Sequence, residues 1–136
     1  MEWKRRFLNE FKEKLLKDRP GIGKVFGEVL DVLMYIDKKI MSYCGNHLSY
    51  HLAVNLFYHI LETLNIPVKG IDFKGEIFKG VNKKYPIAYT IAKTASEHIK
   101  EKFGINMNER ELTHMAVLLA EATNELSKTF YKFRYK

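Results

Sequence analysis

Between Tyr85 and Glu125 the chain spells out a helix, a corner and a second helix almost entirely in local chemistry. Pro86 suits a first helical position, because its fixed φ fits there and its missing N–H would be unpaired anyway. Gly104 accepts the left-handed conformation that ends a helix, with Ile105 placed for the accompanying apolar contact. Asn108 can cap the next helix, and Glu111, three residues on, can reach back to complete a capping box. The corner between two amphipathic helices is therefore set by local chemistry.

The rest of the sequence follows the same periodicity. From Trp3 to Lys17 the residues Trp3, Phe7, Leu8, Phe11, Leu15 and Leu16 share one helical stripe, with most of the basic residues elsewhere. Such a helix can lie on an anionic membrane; packing on its own domain or on a second copy is the simpler reading. Asp18-Arg19-Pro20-Gly21 breaks it. A second helix is predicted over about 24–43, with Val25, Val29, Val32, Leu33, Ile36 and Ile40 as its apolar face. A third is predicted over about 48–64, with Leu52, Leu56, Ile60 and Leu64 four apart. From Pro67 to Tyr85 the pattern loosens around Gly70, Gly75 and Gly80, which fits a packed connection holding a short hairpin or one helical turn. The last ten residues alternate aromatic and basic, a period of two that suits an extended arm. The expectation is an all-α fold, a single bundle of about five helices. Residues 1–20 form an amphipathic helix and break, 21–126 the bundle, and 127–136 a basic-aromatic arm.

Composition excludes several classes. Hydrophobic residues are 46% of the 136, too many for a disordered chain. No apolar run approaches the roughly 20 residues a bilayer span needs, and the N-terminus lacks a signal-peptide core. Cys44 stands alone, so no intrachain disulfide forms, and a cytoplasmic location is the default. The net charge of +7 comes mostly from Lys, not from Arg, the usual bidentate phosphate ligand. The absence of Gln and the wealth of Lys and Glu resemble a heat-adapted composition, so the basic pI does not by itself require a polyanionic partner.

Tyr85-Pro86-x-x-Tyr89, then Phe103-Gly104-Ile105 and Met107-Asn108-Glu109-Arg110-Glu111 before an apolar helix, resemble the second half of a PTS regulation domain (PRD). These helical-bundle modules occur in bacterial transcriptional antiterminators and activators controlled by the sugar phosphotransferase system. Upstream, Leu48-Ser49-Tyr50-His51-Leu52 is similar to the segment carrying the family's first regulatory histidine. The resemblance covers roughly 25–124 and implies a regulatory, dimerising bundle whose histidines accept phosphoryl groups. It implies His51 as the first acceptor. Three departures accompany it: Tyr50 stands where Asp is common, Tyr58 where Arg is common, and Leu118 where the second histidine is expected. His114, one helical turn before Leu118, is the substitute candidate; the alternative is that it packs beside Met115. The phosphorelay expected here is therefore largely degenerate.

Other chemistry is thinner. His47 and His51 stand at i and i+4, a spacing that lets two imidazoles bind one metal, but no third ligand is adjacent, and surface histidines are the simpler reading. Gly21-Ile22-Gly23-Lys24 lacks the spacing of a phosphate loop. Cys44 near His47 invites a nucleophile reading, against which a lone Cys is more often a small buried hydrophobe. No enzyme, metal or cofactor is expected. Lys79, Lys83 and Lys84 beside Phe78 and Tyr85, together with Lys132, Arg134 and Lys136 in the arm, are candidate nucleic-acid contacts, since cations interleaved with aromatics suit single strands. The expected function is a regulatory or protein-interaction module, with a homodimer and a regulatory protein as partners. A small basic RNA- or DNA-binding protein is the alternative.

Overall fold

The computed structural model describes residues 1–64 and 80–125, and among these every regular element is helical. Helix α1 runs without a break through Glu2–Arg6, a π-helical turn Phe7–Phe11 and Lys12–Asp18. A 3-10 turn, Pro20–Ile22, leads into α2 (Gly23–Cys44), which is followed by α3 (Tyr50–Thr63), the short α4 (Val81–Lys84), α5 (Pro86–Phe103) and α6 (Glu109–Leu119). The expected five helices are present, and α4 is the single turn allowed in the connection before Pro86. The remainder of that connection and the C-terminal arm lie outside the described residues.

The π-helical turn answers a problem of spacing. Trp3, Phe7, Phe11 and Leu15 are all buried at strict intervals of four. In a plain α-helix such a row drifts around the axis, because a turn holds only 3.6 residues. At the π-turn the Lys12 N–H bonds to the Phe7 carbonyl, an i→i+5 link that takes up an extra residue and brings the row back into line. The stripe then meets Phe26 of α2 and Phe57 of α3. Phe7 sits at the middle of this cluster, with ring centroids 4.7 Å from Phe11, 5.5 Å from Phe26 and 5.5 Å from Phe57. The membrane-surface alternative for α1 does not describe this arrangement, since its apolar stripe is inside the protein. The cover for α1 that motivated a second copy is likewise supplied by the same chain.

The corner between α5 and α6 forms as its chemistry dictates. Gly104 ends α5 at φ 70°, a conformation that strains any residue with a Cβ. The Asn108 side chain accepts from the Glu111 N–H at 2.8 Å, and Glu111 returns to the Asn108 N–H at 3.4 Å. Ala88, Ala92 and Ala95 are fully buried on α5, and such small side chains let neighbouring helices approach closely. The start of α5 is capped from afar. Glu125 accepts from the N–H groups of Ile87 (3.0 Å) and Ala88 (2.8 Å), placing a carboxylate at the positive end of the helix dipole.

Candidate functional site

One buried carboxylate organises one end of the bundle. Asp37 lies on the inner face of α2 and is 3% exposed. A charge so deeply placed must be met by donors, and three converge on it. Oδ1 accepts from the Trp3 indole N–H at 3.0 Å and from the Leu48 backbone N–H at 2.8 Å. Oδ2 faces the Nδ1 of His47 at 2.9 Å. An ionised carboxylate only accepts, so Nδ1 carries the proton and donates it, and in the neutral tautomer this places the lone pair at Nε2. His47 itself is half exposed.

The segment carrying His47 is fixed from several sides. Gly45 ends α2 at φ 73°, turning the chain into the loop. The Asn46 amide donates to the Ala122 carbonyl at 3.2 Å, and the Cys44 thiol lies 4.0 Å from the Thr123 carbonyl. Ser49 caps α3 by accepting from the Leu52 N–H at 3.1 Å. Asn46, His47, Ser49, Leu52, Glu121 and Ala122 together line a cleft of about 250 Å³. Its polar lining comes from Asn46, His47 and Ser49 of the loop and from Glu121. At Cys44 burial, helped by Glu125, pushes the thiol pKa up, away from the reactive thiolate.

The two expected phospho-acceptors are placed apart from this constellation. His51 is exposed on the first turn of α3, its ring centroid 6.1 Å from that of Tyr50, and it does not line the cleft. His114 is half-buried on α6 and meets the buried His59 of α3 edge to face at 5.3 Å. Burial lowers the pKa of both members of this pair, that of His59 to about 4, where the neighbouring His114 adds a smaller push in the same direction. The neighbour that His114 meets is thus His59 of α3, and the ring on the Glu111 carbonyl is that of His59. Leu118 is half-buried. The i, i+4 pair His47 and His51 also divides: His47 turns to Asp37, and no group of three or more His, Cys, Asp or Glu side chains suited to a metal occurs among the described residues. Of the candidate nucleic-acid contacts, Lys83 and Lys84 are exposed at the end of α4, with the Lys84 ammonium 5.6 Å from the Tyr85 ring centroid. Lys79, Lys132, Arg134 and Lys136 lie outside the described residues.

Asp37 was missed in the sequence, yet a signal existed. It interrupts the apolar stripe Leu33-Ile36-Ile40, and an acid on a buried face has to find donors. The two aromatic departures also gain a structural meaning. Tyr50 lies under the Arg6 guanidinium at 4.1 Å, and Tyr58 packs edge-on against Phe11 at 5.4 Å, so both touch α1.

No helix among the described residues is long and apolar enough to cross a membrane. Neither the curated proteins nor the solved structures contain a match to this chain. The sequence model of the PRD domain matches residues 35–122, more than half of the chain, and it takes in Asp37, His47, the cleft and the α5–α6 corner while leaving α1 outside. An all-helical bundle with that match and that corner belongs to the PRD family of regulatory domains.

Proposed function

We propose that this chain is a PRD-type regulatory module whose phosphoryl acceptor is His47, through Nε2. The observation that carries this reading is the pairing of His47 Nδ1 with the buried Asp37 at the mouth of the cleft. It leaves Nε2 as the lone-pair nitrogen and holds the ring at one orientation, as second-shell carboxylates do for reactive imidazoles. The register also favours it. Read four residues earlier than His51, the histidine is His47 and its predecessor is Asn46, the amide counterpart of the acid that the resemblance implies there. With Leu118 in place of a second histidine, the phosphorelay is reduced to one residue.

The chemistry balances without a further reagent. The Nε2 lone pair attacks the phosphorus of a carrier phosphohistidine whose other ring nitrogen is protonated, an N–P bond forms on His47, and the carrier's N–P bond breaks, its electron pair leaving with the ring as neutral imidazole. The Nδ1 proton stays in place, and the positive charge gained by the His47 ring is offset by Asp37. The new phosphoryl oxygens then alter the charge of the cleft and of any protein surface docked over it. Glu121 on the cleft wall opposes this added charge, which makes the phosphorylated surface unlike the free one and suits a switch.

Intact mass after incubation with the general phosphotransfer proteins and phosphoenolpyruvate tests the proposal. The expected result is one phosphoryl adduct that survives His51→Ala and His114→Ala and disappears in His47→Ala. In Asp37→Asn the amide NH₂ takes the place of Oδ2 and donates to Nδ1, which forces the proton to Nε2; transfer is then expected to fall by roughly a hundredfold or more. An unmodified chain beside a labelled control PRD overturns the reading and brings salt-dependent nucleic-acid binding forward as the next test. An adduct lost in His51→Ala instead moves the acceptor to His51.

A further inference from the structure

We infer that α1, the helix outside the family match, completes the His47 site, and that Trp3 is a positioning residue acting on His47 through Asp37. The inference rests on His47 being the functional histidine of the cleft. It goes beyond that by assigning part of the site to a helix that the PRD match does not include.

Helix α1 holds the C-terminal side of the His47 loop through two contacts. On one side the Trp3 indole N–H and the Leu48 N–H share Asp37 Oδ1, at 3.0 and 2.8 Å. Leu48 directly follows His47, so one carboxylate ties the helix, the loop backbone and the imidazole together. On the other side the Arg6 guanidinium covers the Tyr50 ring at 4.1 Å, at the first residue of α3, while its Nε–H donates to Glu10 at 2.9 Å. The stretch from His47 to Tyr50 is therefore held by two contacts made one helical turn apart on α1. The indole is 3% exposed and packs edge-on against Phe7 at 6.1 Å, so its N–H is directed by packing.

The consequence concerns the direction in which Asp37 faces. A carboxylate can rotate about its terminal torsion, and a single backbone donor on Oδ1 leaves that rotation loosely held. The indole N–H is a second donor on the same oxygen, made stronger by the carboxylate charge. With Oδ1 doubly held, Oδ2 remains pointed at His47 Nδ1 and selects the Nδ1–H tautomer. Removing the indole N–H while keeping an aromatic ring loosens this selection without emptying the core.

The test is ¹⁵N NMR of the His47 imidazole in the full chain, comparing wild type, Trp3→Phe and Phe7→Leu. Phe7→Leu disturbs the packing of α1 but keeps the indole N–H, so it controls for general loosening. The wild-type ring is expected in the Nδ1–H tautomer. Trp3→Phe is expected to show a mixture with Nε2–H, and phosphotransfer from the carrier slower by on the order of tenfold at unchanged half-saturation by carrier. Phe7→Leu is expected to keep the wild-type tautomer. A wild-type tautomer in Trp3→Phe overturns the inference, as does an equal mixture in both variants. Should Trp3→Phe not fold, the Trp3 indole N–H resonance in His47→Gln decides: a shift supports the shared carboxylate, and an unmoved resonance overturns it. The tautomer is read without any phosphoryl donor. A wild-type chain that takes no phosphoryl group therefore sinks the acceptor reading alone, and the positioning result stands or falls separately.

Discussion

Two buried polar residues, Asp37 and His59, show how differently the same bundle treats ionisable groups. Asp37 gathers three donors and serves as a fixed acceptor. His59 is held as a neutral ring, its Nε2–H donating to the Glu111 carbonyl at 3.0 Å and its ring perpendicular to that of His114. Burial lowers its pKa from 6.5 to about 4, and this gives stability a pH dependence of definite sign. The unfolded chain takes up a proton near the ordinary histidine pKa, whereas the folded chain resists it down to about 4. The contribution is thus whole above pH 6.5 and is lost as pH falls through that window, amounting to about 3 kcal/mol at its foot. His114 shifts in the same direction and steepens the loss. Urea unfolding midpoints are expected to drop between pH 6.5 and 4 in the wild type. In His59→Gln, which keeps an N–H donor for the Glu111 carbonyl, the slope is expected to flatten. A slope unchanged by that substitution assigns the acid sensitivity to other groups.

At the level of elements, the legible features are those whose partners lie within a few residues. Pro86, the Gly104 stop and the Asn108–Glu111 box could be read because each is a bond between neighbours in sequence. The Ser49 cap lies within the same reach, and it sets the start of α3 at Tyr50, two residues after the predicted Leu48. The cap on α5 is of another kind. Glu125 reaches the N–H groups of Ile87 and Ala88 from 38 and 37 residues away, braced by the Thr123 hydroxyl at 2.6 Å. Nothing in local spacing announces it; only the closed bundle brings that end of the chain beside Pro86. The Asp37 hub escaped for the same reason, since its indole donor is 34 residues away. Glu125→Ala is expected to cost about 1–2 kcal/mol, because two helix N–H groups lose a charged acceptor in a partly buried place. Glu125→Gln, which retains one acceptor oxygen, is expected to lose less. Equal midpoints for wild type and Glu125→Ala in urea would show that water replaces the carboxylate at no cost.

Taken as one object, the molecule does not divide where the family match begins. Residues 35–122 exclude Phe7, Phe11 and Phe26, yet these pack around Phe57, which lies inside the match. Phe7 is fully buried against rings from α1, α2 and α3, so removing its ring opens a cavity that three helices border. Phe7→Ala is expected to cost about 3–5 kcal/mol, a large share of the roughly 5–15 kcal/mol that holds such a domain folded. Whether that loss is local or global depends on whether α1 can detach by itself. Detachment would strand Phe26 and Phe57 in water and leave Asp37 without its indole donor, so a bundle stripped of α1 has little to gain by staying folded. Trp3 is the only tryptophan in the chain, which makes its fluorescence a reporter of α1 alone, while far-ultraviolet dichroism reports all the helices. The two signals are expected to trace one urea transition in wild type, and one transition at a lower midpoint in Phe7→Ala. A fluorescence change that precedes the loss of dichroism would make α1 an appendage that docks and undocks on a self-sufficient core.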